Sequence, residues 1–290
     1  MTVADARENR KSPSDDESPD FDAAPPADWA AIENIEPLAP AHTRLRLLRL
    51  AAIVVVLGGW EILGRQVDPL FMSYPSAIAR AAVRLTLSGE LLAALESSLQ
   101  VLLLGFLIAA VIGIALGLLI GRYRFVDATT DWLVNALYAT PLVAIIPLVT
   151  LWFGLGVAAK LFIVTVLAVF PILINTAAGV RDVPTSLIDV GAAFAAKEHE
   201  IFLKIILPSA IPFMMTGLRL GVGRAIIGMV VAEFFTAITG LGALIVKYGN
   251  QYDTASMFVP IFVLMLLGIG LTYLLLWAEH AAAPWRTPEE

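Results

Sequence analysis

From Ser97 to Gly121 the chain runs 25 residues without an ionisable side chain. As an α-helix that stretch is about 37 Å long. A bilayer core is crossed by ~20 predominantly apolar residues. In hydrocarbon every backbone N–H and C=O must find its partner inside the chain, so the stretch reads as a spanning helix. Further apolar runs occupy Leu47–Gly64, with Arg49 near its start and Glu61 near its end, the interval between Asp131 and Lys160, and the interval between Lys160 and Arg181. Two more extend from about Ile205 to Phe235, interrupted by Arg219 and Arg224, and from Asp253 to Glu279. The fold class expected is an all-α membrane protein with six transmembrane helices. The apolar run Phe234–Val246 lies between Glu233 and Lys247 and is too short to cross, so a partly inserted or interfacial segment is expected there. Composition agrees: 59% of residues are hydrophobic and 15% charged, against about 45–50% and 25% in soluble domains. The absence of cysteine excludes disulfides, thiolate metal sites and cysteine nucleophiles.

The net charge of −6 is unevenly distributed. Residues 1–43 carry ten acids against three bases, leaving the remainder at +1. Rich in Pro, Ser and Ala and poor in apolar periodicity, 1–43 reads as a disordered acidic tail. Residues 44–280 form the membrane domain and 281–290 a short tail. With the N-terminus inside, inner flanks carry Arg44, Arg46, Arg49, Arg122, Arg124, Arg181, Lys197, Lys204 and Arg286. Outer flanks carry Arg65, Arg80, Arg84, Lys160 and Lys247. That bias places both termini in the cytoplasm. An amphipathic stretch, Tyr74–Leu95, is expected along the outer surface, and Glu61 and Glu233 near enough to the outer ends to snorkel.

Gly113, Gly117 and Gly121 recur at every fourth residue, as do Gly217 and Gly221, a spacing that lets helices approach closely. Pro141, Pro147 and Pro171 remove backbone donors and are expected to kink their helices.

The loop at about 182–206 is the most informative segment. Pro184, Thr185 and Ser186 can start a helix, and Ser186 with Asp189 resembles a capping box. Leu187, Val190 and Phe194 then share one helical face. An exposed amphipathic helix of this kind can rest on the bilayer or on the bundle, or enter a groove on a partner. A second short helix follows from about Lys197 to Ile206. The loop resembles the signature of binding-protein-dependent ABC importer permeases: Glu-Ala-Ala, three residues, Gly, nine residues, then Ile-x-Leu-Pro. The aligned positions are Asp189, Val190 and Gly191, then Ala195, then Ile205, Leu207 and Pro208. The run that follows, from Leu207 through Arg219 and Arg224 to Glu233 and Gly240-Leu-Gly, is similar to the nitrate/sulfonate/taurine branch.

The resemblance implies a type I ABC importer permease fold and a division of labour. Two permease copies would form the pathway, a cytoplasmic ABC ATPase dimer would power it, and an extracytoplasmic solute-binding protein would deliver the solute. Leu187, Asp189, Val190, Gly191, Phe194, Ala195, Ile205, Leu207 and Pro208 would form the ATPase-coupling segment, with Gly191 small for close approach to that partner. The resemblance implies a bacterial-type inner membrane as the location and, as the solute, a small anion such as nitrate, a sulfonate, taurine or a similar organic acid. The alternative is a stand-alone secondary transporter or channel. The chain itself has no Gly-x-x-x-x-Gly-Lys-Ser/Thr phosphate loop, so ATP belongs to partner subunits and no cofactor is expected. His42, His199 and His280 lack metal-ligand spacing, no Gly-x-Ser-x-Gly elbow occurs, and no basic patch points to nucleic acid. An enzyme is not expected. Arg219 and Arg224 lie deep in a span, where a charge must face the bundle, water or a partner. Arg219, with Thr216 and Gly223 on its flanks, is the pathway candidate. Arg224 is expected to pair with an acid or carbonyl.

Overall fold

A computed structural model describes residues 42–236 and 238–282. The expected tail at 1–43 therefore lies almost wholly outside the described residues, as do 283–290. Every regular element described is helical. The chain divides into two compact units, 1–56 and 57–290. In the first, the described residues belong to helix α1 (His42–Gly64), whose Leu50, Ile53, Val54, Val55 and Val56 are exposed. The second contains the end of α1 and all other elements.

Helices α2 (Pro75–Leu87) and α3 (Glu90–Arg122) follow. Next come α4 (Arg124–Ala139), a 3-10 turn at Leu142–Ile145, α5 (Ile146–Phe153) and α6 (Val157–Arg181). Helices α7 (Thr185–Ala193) and α8 (Glu198–Ile201) lead through a π-helical stretch, Phe202–Ile206, into α9 (Leu207–Thr236). Helices α10 (Leu241–Asn250) and α11 (Thr254–Ala282) complete the order.

Among the described residues, four helical stretches are long and apolar enough to cross a membrane: Glu90–Arg122, Val157–Arg181, Glu198–Thr236 and Thr254–Ala281. The α4–α5 pair makes a fifth if counted as one span, but it is bent by 78°. The interval between Asp131 and Lys160 is therefore no continuous helix. Pro141 cannot donate a hydrogen bond and disfavours helix in the residue before it, Thr140, whose ψ of 134° is extended. The chain restarts at Ile146, with Pro147 tolerated in the first turn of α5.

The core is a sandwich of α3, α6 and α9 with α6 in the middle. Its closeness comes from small residues. A Cβ on Gly105, Gly113, Gly117 or Gly121 of α3 would stand 2.6–2.9 Å from the side chain of Val164, Ile172, Thr176 or Val180 of α6 respectively. Both series advance by fours or eights, so the two helices meet along one ridge for most of their length. Gly217 and Gly221 of α9 oppose the same region of α6 from the other side: a Cβ on Gly221 would lie 2.8 Å from Ile172 Cγ1, and one on Gly217 3.1 Å from Ile172 Cα. Ile172 thus wedges between Gly113 and Gly221, and is fully buried.

Helix α2 does not simply rest along a membrane surface. Ile78, Ala81 and Leu85 pack with Leu91 and Ala94 of α3, Leu241, Leu244 and Tyr248 of α10, and Val259 of α11. The apolar face of α2 is met by protein.

Candidate functional site

Two ends of the bundle carry the polar chemistry. At the Arg122 end, α6 stops at Arg181, and α7 begins after Pro184. The capping box expected of Ser186 and Asp189 does not form: Pro184 holds the N-cap position without a side-chain hydrogen bond, and Asp189 is exposed. A box-like contact occurs one helix later, where the Lys197 N–H donates to Glu200 Oε2 at 2.9 Å.

The other end of α7 explains a position of the signature. The Ala196 N–H donates to the Gly191 carbonyl at 3.1 Å and the Ala195 N–H to the Ala192 carbonyl at 2.9 Å. These are the two bonds of a Schellman stop, which needs a left-handed residue between them. Ala195 has φ +52°. The signature has glycine at this position, which adopts that conformation freely, whereas alanine bears a cost of about 1 kcal/mol. Ala195→Gly is expected to stabilise the stop by about 0.5–1 kcal/mol, read as slower hydrogen exchange at the amides of residues 195 and 196.

Gly191 is buried, but it faces inward. A Cβ there would stand 2.9 Å from Ile205 Cδ1 and 3.2 Å from Ile201 Cγ1. It is small so that α7 can lean on the approach to α9. Ile188, Ile201, Phe202, Ile205 and Leu207 pack on Val180, Val183, Ile206, Ala210 and Met214, so the 182–206 segment is clamped to the bundle. Leu187, Val190 and Phe194 point away from that clamp and are exposed, Phe194 by 84%. Just before Pro208, the Leu207 N–H bonds to the Phe202 carbonyl, five residues back. Such a widened turn relieves the clash of a proline ring with the preceding turn. The structure therefore brings Gly191, Ile205 and Leu207 together inside and leaves Leu187, Asp189, Val190 and Phe194 open.

Ion pairs tie this end together: Arg122 with Glu198 at 2.5 Å, and Arg181 with Asp127.

Midway along α9, Arg219 is ion-paired with Glu279 of α11. Arg224 is exposed and makes no ion pair among the described residues. Of the two partners expected for Arg224, an acid or a backbone carbonyl, the acid on a neighbouring helix belongs to Arg219.

At the Glu90 end the sequence reading missed a buried polar cluster. Glu233 does not snorkel but is fully buried, with Ser98, and Lys160 is 2% exposed. Ser98 Oγ donates to Glu233 Oε1 at 2.7 Å and accepts from the Leu241 N–H at 2.8 Å. The Gly242 N–H donates to Glu233 Oε2 at 2.7 Å. Lys160 Nζ donates to the Thr239 carbonyl at 2.8 Å and to Thr239 Oγ1 at 3.1 Å. Three helices thus hold the turn before α10. Gly240 has φ +108°, and a Cβ there would strike the Glu233 carboxylate. The Gly240-Leu-Gly motif in the sequence was the signal for this turn, but nothing there named its partners.

Elsewhere at this end, Arg84 donates to Ser256 Oγ at 2.6 Å and to Asp253 at 3.1 Å. Burial pushes the Asp253 carboxyl up, but hydrogen bonds from Ser256 and the Arg84 charge outweigh it and leave it below its ordinary value. The hydrogen bond to Glu90 holds the Lys247 ammonium above its ordinary value. Among the described residues no three His, Asp or Glu side chains come together as a metal site.

A helical bundle with several helices long and apolar enough to cross a membrane, and a short amphipathic helix clamped at one end, is the architecture of a multi-pass membrane protein. Residues 109–284 match the family described as binding-protein-dependent transport system inner membrane component, and the chain belongs to that family. It is 31% identical over 245 residues to a protein named as an aliphatic sulfonates transport permease, SsuC, of Bacillus subtilis, covering 84% of this chain and 88% of that one. It is 31% identical to the formylaminopyrimidine transport permease protein ThiX of Halalkalibacterium halodurans, covering 78% and 91%. It is 32% identical to the nitrate import permease protein NrtB of Leptolyngbya laminosa, covering 66% and 68%. Among solved structures, a chain of the MetNI methionine ABC transporter in inward facing conformations superposes with a TM-score of 0.51 at 22% identity, covering 68% of this chain and 96% of that one. That likeness concerns the fold alone.

The chain is accordingly a permease subunit of an ABC importer and not an enzyme, ATP hydrolysis taking place on separate subunits. Family membership implies an ATPase and a binding protein as partners.

Proposed function

We propose that two copies of this chain form the pathway of an importer for a small anion, with six spans per copy and both termini in the cytoplasm. In this reading α1 is the first span and α4–α5 together the third, and α7 carries the ATPase contact. The observation that carries the reading is the face made by Leu187, Val190 and Phe194: three open apolar side chains on a helix whose opposite face is fixed, through Gly191, to Ile201 of α8 and Ile205 of the π-helical stretch that leads into α9. A fixed helix with an apolar outer face transmits movement of a docked partner directly to the span it leans on. Phe194→Asp is expected to abolish co-purification of the ATPase while leaving membrane insertion intact. Unchanged co-purification would reject α7 as the docking element.

The solute class rests on α9 and on the sulfonate and nitrate relatives. Leu220, Gly223, Arg224, Ile227 and Phe234 are exposed along it at helical spacing. A guanidinium facing lipid at mid-span costs about 2.5–3.5 kcal/mol on insertion scales, so a second copy and a water-filled pathway account for this stripe better than bilayer does. Arg224 replaces Arg219 as the residue proposed to attract the anion, because Glu279 already neutralises Arg219. Arg224→Gln is expected to lower uptake of an anionic solute at least tenfold in reconstituted vesicles, with ATPase assembly unchanged. Arg219→Gln is expected to reduce the amount of folded protein. The opposite pattern would return Arg219 to the pathway.

A further inference from the structure

A groove of about 590 Å³ opens at the Arg122 end of α3, between its last turns and the start of α8. Its floor is Ala115, Leu118 and Leu119, and its rim is Arg122, Tyr123, Glu198 and His199, with Phe202 at the side. The floor does not end at the groove. Leu104, Ile108, Val111 and Ile112 continue it as an exposed apolar stripe along α3, and Leu104 to Leu119 measures about 22 Å along the helix axis. The apolar track therefore lies on a spanning helix and terminates in charge where that helix ends. This is the polarity of a lipid standing in its leaflet.

The charges at the rim select among lipids. Arg122 and Glu198 are ion-paired at 2.5 Å, so the rim presents a cation and an anion side by side and not a basic patch. The guanidinium, which also lies over the Tyr123 ring at 5.9 Å, can donate to a phosphodiester. The Glu198 carboxylate, largely exposed, can accept from an ammonium, and so can a ring nitrogen of His199. A head bearing phosphate and primary amine satisfies both members of the pair. An anionic head without a cation would set its phosphate against Glu198. We propose that this groove binds a bilayer phospholipid with a zwitterionic, primary-amine headgroup, its phosphate on Arg122, its ammonium on Glu198 and His199, and one acyl chain along α3.

The test uses the full chain purified in detergent and titrated with phosphatidylethanolamine or phosphatidylglycerol of the same acyl chains, with bound lipid counted by native mass spectrometry. The wild type is expected to retain the ethanolamine lipid about tenfold better, as befits one additional charge-assisted hydrogen bond. Glu198→Gln, a change at an exposed side chain that preserves shape, is expected to bring the two lipids to parity. Leu119→Trp, which fills the floor, is expected to lower retention of both. Equal or better retention of phosphatidylglycerol by the wild type overturns the proposal, and so does undiminished ethanolamine-lipid retention by both variants.

Discussion

Glu233→Ala should remove most of the folded protein from the membrane. The carboxylate is fully buried and accepts from Ser98 Oγ and the Gly242 N–H. Removing it leaves the Gly242 amide without its acceptor and deprives Ser98 of one partner. Buried polar groups left without their hydrogen-bond partners cost about 1–3 kcal/mol each, together a large part of the ~5–15 kcal/mol that holds a domain folded. The loss should appear as a collapse in monodisperse yield on size exclusion and as protease sensitivity at the turn before α10. Glu233→Gln, which keeps the shape and an acceptor, should be milder. Wild-type yield and melting temperature for Glu233→Ala would show that the cluster contributes nothing.

Gly117→Val should part α3 from α6. A Cβ at this position would lie 2.6 Å from Thr176 Cβ and 2.7 Å from the Leu173 carbonyl oxygen, and the latter is backbone that cannot turn aside. Overpacking in a close-packed interior costs about 1–3 kcal/mol and more where backbone must move. A marked fall in melting temperature is expected, with aggregation on heating. Gly270→Ala in α11 is the control: no atom stands within 4 Å of its Cβ position, so this variant should match the wild type or gain slightly from alanine's helix propensity. Equal melting temperatures for Gly117→Val and the wild type would mean that α3 and α6 do not meet along this ridge.

Much of the fold is legible in one dimension. The uncharged run Ser97–Gly121 reads as a helix in a membrane, and the four-residue spacing of Gly113, Gly117 and Gly121 marks a contact face, which the structure shows against Ile172, Thr176 and Val180. The amphipathic triad Leu187, Val190 and Phe194 is local as well and is read from spacing, whereas the Ile-x-Leu-Pro end is recognised by its resemblance to the family signature.

The sequence was silent where a residue's role depends on what a distant segment brings to it. Gly191 reads as a contact point for a partner, because spacing gives the size of a side chain and not the direction in which its backbone faces. Folding turns it toward Ile201 and Ile205. Arg219 and Arg224 are equivalent as charges in a span, and only the approach of α11 sets Glu279 beside the first and leaves the second open. Ser98, Lys160 and Glu233 are separated by 62 and 73 residues, and each alone suits the edge of a membrane. What buries them is the packing of α3, α6 and α9 around one turn. Periodicity and charge therefore determined that this chain is a helical membrane protein and which loop helix carries an apolar face. Tertiary structure decided which charges are neutralised and which remain available, because that depends on electrostatic partners a few ångströms away in space and many residues away in the chain.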